Sequence, residues 1–242
     1  MKHSHLKKDF DKVDHYKLEQ ELLPFIGPSR LEKIDEVIQK RLNSLHLAIE
    51  HPTNINNAMA AIRTAESLGI YHIHLIAPEY EAQAVRIITQ GAFYWVDIHF
   101  YDSLDDFLTT LKKDFNWPKD INLAGAALAD TACRLTDVPV DKPLCILVGN
   151  EQRGLTDEAK SACQYCYMIP MAGMSQSFNL SVAAALSLYD TSQRKRDALN
   201  SRCDLNAKQQ QRLKAAYLLN SVDNRLAEQL VKNLSNIDDN IS

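Results

Sequence analysis

Three polar segments of this chain carry the residue types from which a group-transfer site can be built. The first runs His51-Pro-Thr-Asn-Ile-Asn-Asn57-Ala-Met-Ala-Ala-Ile-Arg63. Arg63 has a stem that can pack at the edge of a helix while its guanidinium reaches out. The second, Leu147-Val-Gly149-Asn-Glu151-Gln-Arg-Gly154, sets a carboxylate between two glycines that free the backbone to approach a ligand. The third, Ile169-Pro-Met171-Ala-Gly173-Met-Ser-Gln-Ser177-Phe178-Asn179, leads into an alanine-rich helical stretch. The unpaired N–H groups of such a helix start suit an anion. Each segment alone has a plainer reading: a surface arginine, a glycine-shaped turn, a serine cap. Three together make a site the better one.

The elements that must position these segments follow from hydrophobic spacing. Short apolar runs at Leu45–Ile49, His72–Ala77, Val96–Tyr101, Ile121–Leu128, Leu144–Val148 and Tyr167–Ile169 read as strands. Helical stretches lie between them at Asn56–Leu68, Glu81–Thr89, Leu104–Lys113 and Thr156–Ala162. Thr53 or Asn54 is expected to cap the first, with Ala58, Ile62 and Ala65 facing inward. Strands alternating with helices predict α/β architecture, a mainly parallel sheet with helices on both faces. Ligands in such sheets bind at the carboxyl ends of strands, where all three polar segments begin. Ahead of this region, Gly27-Pro28 breaks the chain. Ser29 is then expected to cap a helix over 30–42 with Leu31, Ile34, Ile38 and Leu42 inward. Behind it, residues 194–214 hold seven basic side chains against two acidic ones and read as a local positive surface in a chain of net charge −4. Leu226, Leu230 and Leu234 form a second amphipathic stripe expected to pack on a neighbour. The expected division is therefore an N-terminal extension over 1–44, a catalytic domain over 45–193 and a basic helical extension over 194–242.

Composition removes several classes. With 45% hydrophobic and 24% charged residues, 7 Gly and 8 Pro, the chain is globular rather than disordered or collagen-like. The longest apolar stretch, Leu180 to Leu188, falls far short of the roughly 20 residues a membrane span requires. The charged N-terminus lacks the apolar region of a signal peptide, and five cysteines are read as reduced thiols in the cytoplasm. No Gly-x-Gly-x-x-Gly or P-loop pattern follows any strand. Gly173-Met-Ser-Gln-Ser177 misses a hydrolase elbow at its last position, and neither Ser177 nor Cys163 has an evident partner base. Cys163-Gln-Tyr-Cys166 is a lone pair of thiols. His72 and His74 share one strand face without a third ligand, so they read as structural and no metal site is expected.

In combination and order, the three segments resemble the SpoU branch of the SPOUT methyltransferases. The similarity extends over roughly residues 29–215. It implies a deep trefoil knot toward the C-terminal side of the sheet, S-adenosylmethionine as cofactor, and a homodimer that completes the site. By resemblance, Ala126, Gly149, Ile169, Met171, Gly173 and Phe178 would bind cofactor, and Asn57, Arg63, Glu151, Ser177 and Asn179 would form the catalytic set. Arg30, Lys33, Arg194 and Arg196 would contact RNA. The short N-terminal helix and basic tail resemble the tRNA-modifying members, which implies 2'-O-methylation of a guanosine ribose in the tRNA D-loop. Ribosomal RNA or another tRNA position is the alternative. Lys33 stands where members often carry arginine, Arg194 and Arg196 are displaced by about one residue, and the first 28 residues have no recognised counterpart. The family scheme gives Arg63 the hydroxyl proton. A guanidinium is a poor free base, so a phosphate clamp suits it better, and Glu151 is expected either as base or as the group that orients Asn57 and Arg63.

Overall fold

A computed structural model describes residues 6–77, 91–113, 120–128 and 132–239. The expected helix over Glu81–Thr89 lies outside them. The chain divides into two compact units, residues 42–204 and the combination of 1–41 with 205–242.

The larger unit is built on seven strands: β1 (Leu45–Glu50), β2 (His72–Ile76), β3 (Asp97–Tyr101), β4 (Asn122–Ala126), β5 (Cys133–Arg134), β6 (Leu144–Val148) and β7 (Tyr165–Met168). They form one sheet in the order β3-β2-β1-β6-β4-β7-β5, and every adjacent pair is parallel. Alternation sorts the side chains between two cores. Leu45, Leu47, Ile49, Ile73, Leu75, Ile146 and Val148 face one side, where helices over Ile55–Ser67 and Leu180–Leu199 cover them. Ala48, Ile76, Cys145 and Leu147 face the other, under helices over Leu104–Lys113 and Asp157–Ala162. Full burial of such side chains contributes about 1.5–3 kcal/mol each, and two covered faces explain why the strands read as continuous apolar runs. The two-residue β5 was too short to carry a pattern.

The smaller unit joins both chain ends: α1 (Lys7–Phe10), α2 (His15–Leu22), α3 (Pro28–Ile38), with α8 (Ala207–Asn220) and α9 (Asn224–Asp239). The remaining helices take the numbers between, α4 (Ile55–Ser67), α5 (Leu104–Lys113), α6 (Asp157–Ala162) and α7 (Leu180–Leu199). Leu18, Leu22, Leu213 and Leu219 are buried in the smaller unit, and Lys214 bridges Glu19 and Asp35 at 3.3 and 2.8 Å. The two extensions expected to be separate are thus one helical body. Proline at the first helical position, not Ser29, starts α3. On α9 the fully buried residues are Ala227 and Val231, with Leu226, Leu230 and Leu234 only half-buried beside them.

The expected boundary after residue 193 falls inside α7, which continues to Leu199 because its basic residues are anchored. Arg194 pairs with Asp190 at 2.7 Å and donates to the carbonyls of Val138 and Leu135 at 2.8 and 3.0 Å. Lys195 is 2% exposed and donates to the Lys142 carbonyl, and Arg196 donates to that of Leu68 at 2.8 Å. With Arg212 on Asp11 and Lys214 on two carboxylates, three of the seven basic side chains of the tail are ion-paired and two more are held by carbonyls.

Candidate active site

Two of the three polar segments are tied to each other at the carboxyl ends of β1 and β6. Asn54 caps α4, its side chain accepting from Asn56 N, so the helix begins where Asn57 faces the neighbouring loop. Asn57 Nδ2 donates to Glu151 Oε1 at 2.7 Å, and Thr53 N donates to Glu151 Oε2 at 2.8 Å. Burial pushes the Glu151 carboxyl up, but the hydrogen bonds from Asn57 and from backbone N–H groups outweigh it, and the net pKa is below the ordinary 4.5. The group is ionised at neutral pH and a weak base. That favours orientation over proton abstraction.

The loop carrying Glu151 is shaped by its neighbours. Asn150 and Gly154 exchange backbone hydrogen bonds at 3.1 and 2.8 Å, with Gly154 at φ +71. A Cβ on Gly149 would meet Leu155 N and lie 2.5 and 2.6 Å from the Gly154 carbonyl carbon and oxygen. Gly149 is therefore required by the loop's own closure, whatever binds against it. Asn150 accepts from Gln152 N and Arg153 N and donates to the His51 carbonyl at 2.8 Å. Below it, Glu50, 1% exposed, accepts from Thr156 N and Oγ1 at 2.9 and 2.7 Å, fixing the loop's far end as α6 begins. The sequence singled out neither Glu50 nor Asn150, and Thr53 only as a helix cap. A carboxylate closing a buried strand was the one available signal.

The Glu151 loop walls a cleft of about 320 Å³, within the size of small-molecule sites. Residues 126–128 and 149–155 line it together with Tyr167, Ile169, Met171, Phe178 and Leu180. Of the expected cofactor contacts, Ala126, Gly149, Ile169, Met171 and Phe178 line the cleft and Gly173 does not. Nothing lies within 4 Å of a Cβ built on Gly173. Glu151 and Ser177 also line it. Asn179 instead caps α7, accepting from Ser181 N and Oγ at 2.9 and 2.7 Å, which occupies one of the N–H groups expected to face an anion. Arg63 is exposed on α4 outside the lining and has no side-chain hydrogen bond or ion pair among the described residues. Lys33 lies exposed in the helical unit, 2.8 Å from Glu36, and Arg30 is exposed on the same helix.

A lining that joins Ile169, Met171, Phe178 and Leu180 to Asn150, Gln152, Gln176 and Ser177 suits a ligand with both a flat apolar ring and polar groups. A carboxylate-anchored amide at the rim can hold a hydroxyl-bearing reactant in one orientation. Residues 44–189 match the SpoU rRNA Methylase family. The tRNA (guanosine(18)-2'-O)-methyltransferase of Escherichia coli K12 is 30% identical over 173 residues, 72% of this chain and 73% of that protein. The crystal structure of the A. aeolicus TrmH/SpoU tRNA modifying enzyme superposes with a TM-score of 0.61 at 25% identity, covering 87% of this chain and 96% of that one. The SpoU methyltransferase AviRb from Streptomyces viridochromogenes, solved with AdoMet, gives a TM-score of 0.56 at 26% identity over 66% of this chain and 61% of that one. This chain belongs to the SpoU rRNA Methylase family.

Proposed function

We propose that the protein transfers a methyl group from S-adenosylmethionine to the ribose 2'-hydroxyl of a tRNA guanosine, position 18 as in the E. coli relative. The observation that carries this reading is the Thr53–Glu151–Asn57 tie, whose carboxylate residue lines the cleft. The cleft fits the cofactor: Ala126, Gly149, Ile169, Met171 and Phe178 would hold it. Bound there, it supplies an already activated methyl group. This chain's residues then have to position the acceptor. Ionised Glu151 fixes the Asn57 amide, and Ser177 faces the same space.

Arg63 belongs to the reaction as a phosphate clamp and alkoxide stabiliser, and a second copy would bring it to the cleft. Two observations support that homodimer. Arg63 lies outside the lining of its own cleft, and α7 exposes Val182, Leu186 and Tyr189 at helical spacing. The family's trefoil knot is supported by the strand order, since the chain leaving β6 passes over β4 to reach β7. No described helix is long and apolar enough to cross a membrane, and a tRNA substrate supports a cytoplasmic location.

Transfer of labelled methyl to unmodified tRNA, followed by nucleoside mapping, tests the reading. The expected product is 2'-O-methylguanosine at position 18. Label confined to another ribose or to ribosomal RNA overturns the substrate, and absence of label from every RNA overturns the reaction.

A further inference from the structure

At the amino ends of β1, β2 and β3, opposite the cleft, polar side chains gather on the sheet face that α5 covers. Alternation puts His46, His72, His74, Asp97, His99 and Tyr101 there, with His72 level with Asp97 and His74 level with His99. Two of the four histidines are committed to the fold. His46 Nδ1 lies 3.0 Å from His74 Nε2, His46 Nε2 lies 3.0 Å from the Asn43 carbonyl, and His74 Nδ1 lies 3.0 Å from the Tyr101 hydroxyl. Burial drives the pKa of His46 down to about 3 and that of His74 well below its usual value, so both rings are neutral.

The other two converge on a carboxylate. One potential ligand atom from each of His72, Asp97 and His99 lies within 4.8 Å of the other two. His99 Nε2 is 3.1 Å from Asp97 Oδ2, close to the roughly 3.3 Å edge of a tetrahedron with metal–ligand bonds of about 2.0–2.1 Å. His72 Nε2 is 3.0 Å from Asn43 Oδ1. An amide oxygen only accepts, so that nitrogen carries the proton and Nδ1 carries the lone pair, the usual outer-shell arrangement of a metal-binding histidine. Asp97 and His99 are each 18% exposed on a strand at the sheet edge, which leaves an ion a route from solvent.

We propose that His72, Asp97 and His99 bind one divalent transition-metal ion, zinc(II) being the species that two imidazoles and a carboxylate favour, with water completing the coordination. The ion would pin edge strand β3 to β2. Its place at the amino ends of the strands separates it from methyl transfer, which uses the carboxyl ends.

The test uses the full chain, stripped with a chelator and titrated with Zn²⁺ against a chromophoric competitor and with Co²⁺ by visible absorption. One ion per chain, four-coordinate Co²⁺ bands without thiolate charge transfer, and at least tenfold weaker binding in both His99→Gln and Asp97→Asn are expected. Asn43→Ala should weaken binding about tenfold through the lost outer-shell contact, and Cys166→Ser should leave it unchanged. Saturating zinc should raise the melting temperature of the wild type and leave that of Asp97→Asn unmoved. Asp97→Asn is isosteric, so it keeps the test decisive should His99→Gln fail to fold. No ion taken up by the stripped wild type, binding that survives both substitutions, or charge-transfer bands abolished by Cys166→Ser would overturn the proposal.

Discussion

The loops that follow β1 and β6 differ from the loop that follows β7, although all three leave the carboxyl ends of strands and the last two wall one cleft. The first two are tied to each other and to the sheet by Asn57, Thr53, Asn150 and Glu50. In the third, residues 170–178 make no hydrogen bond among the described residues, and Met174 is fully exposed. Hydrogen bonds fix geometry to a few tenths of an ångström, whereas apolar contact fixes only proximity. The cleft therefore has one wall preorganised by its own backbone and one whose order depends on what packs against it.

Replacing Arg63, which stands outside both walls, should have the largest effect. Arg63→Ala is expected to reduce methyl transfer about a thousandfold with cofactor affinity nearly intact, as read by single-turnover kinetics and calorimetry; an unchanged rate removes Arg63 from the mechanism. Next comes the tied wall. Glu151→Gln should cost about a hundredfold in kcat through misplacement of Asn57, and adding Asn57→Ala should cost little more, because the two act as one unit. Additive losses would dissolve that unit.

The same tie sets an acid limit. Because hydrogen bonds lower the Glu151 pKa below 4.5, the tie is complete above that ordinary value and is lost as pH falls through the lower one. A kcat profile with a limb near neutrality that Glu151→Gln removes would contradict this. A smaller contrast separates the glycines. Gly149→Ala pushes a methyl group into backbone and should destabilise by about 1–3 kcal/mol in urea titrations. Gly173→Ala meets open space and should stay within about 0.5 kcal/mol. Equal effects would mean the two walls are equally constrained.

Much of this was legible in residue order. All six expected strands match within two residues at each end, and Leu144–Val148 coincides with β6. The expected Ile121–Leu128 is trimmed to β4 because its ends lose their ladder partners. Asn57 and Glu151 were singled out from two segments, and the structure joins them. Asn179 caps α7, and a cap and a ligand-facing amide have the same sequence signature at a helix start. The backbone partners of Arg194 and Arg196 are not legible in the sequence, because charge counts along a segment do not register carbonyls arriving from residues 56, 59 and 128 positions away.

The sequence by itself determined the α/β alternation, the buried strands and the three polar loops at the strands' carboxyl ends, because periodicity and turn chemistry are written within a few neighbouring residues. Only the tertiary structure decided which carboxylate holds Asn57, that the two chain ends form one helical unit, and that Asp97 and His99 stand beside His72. Those outcomes depend on strand order and register, through which a Thr53 N–H meets a carboxylate 98 residues away.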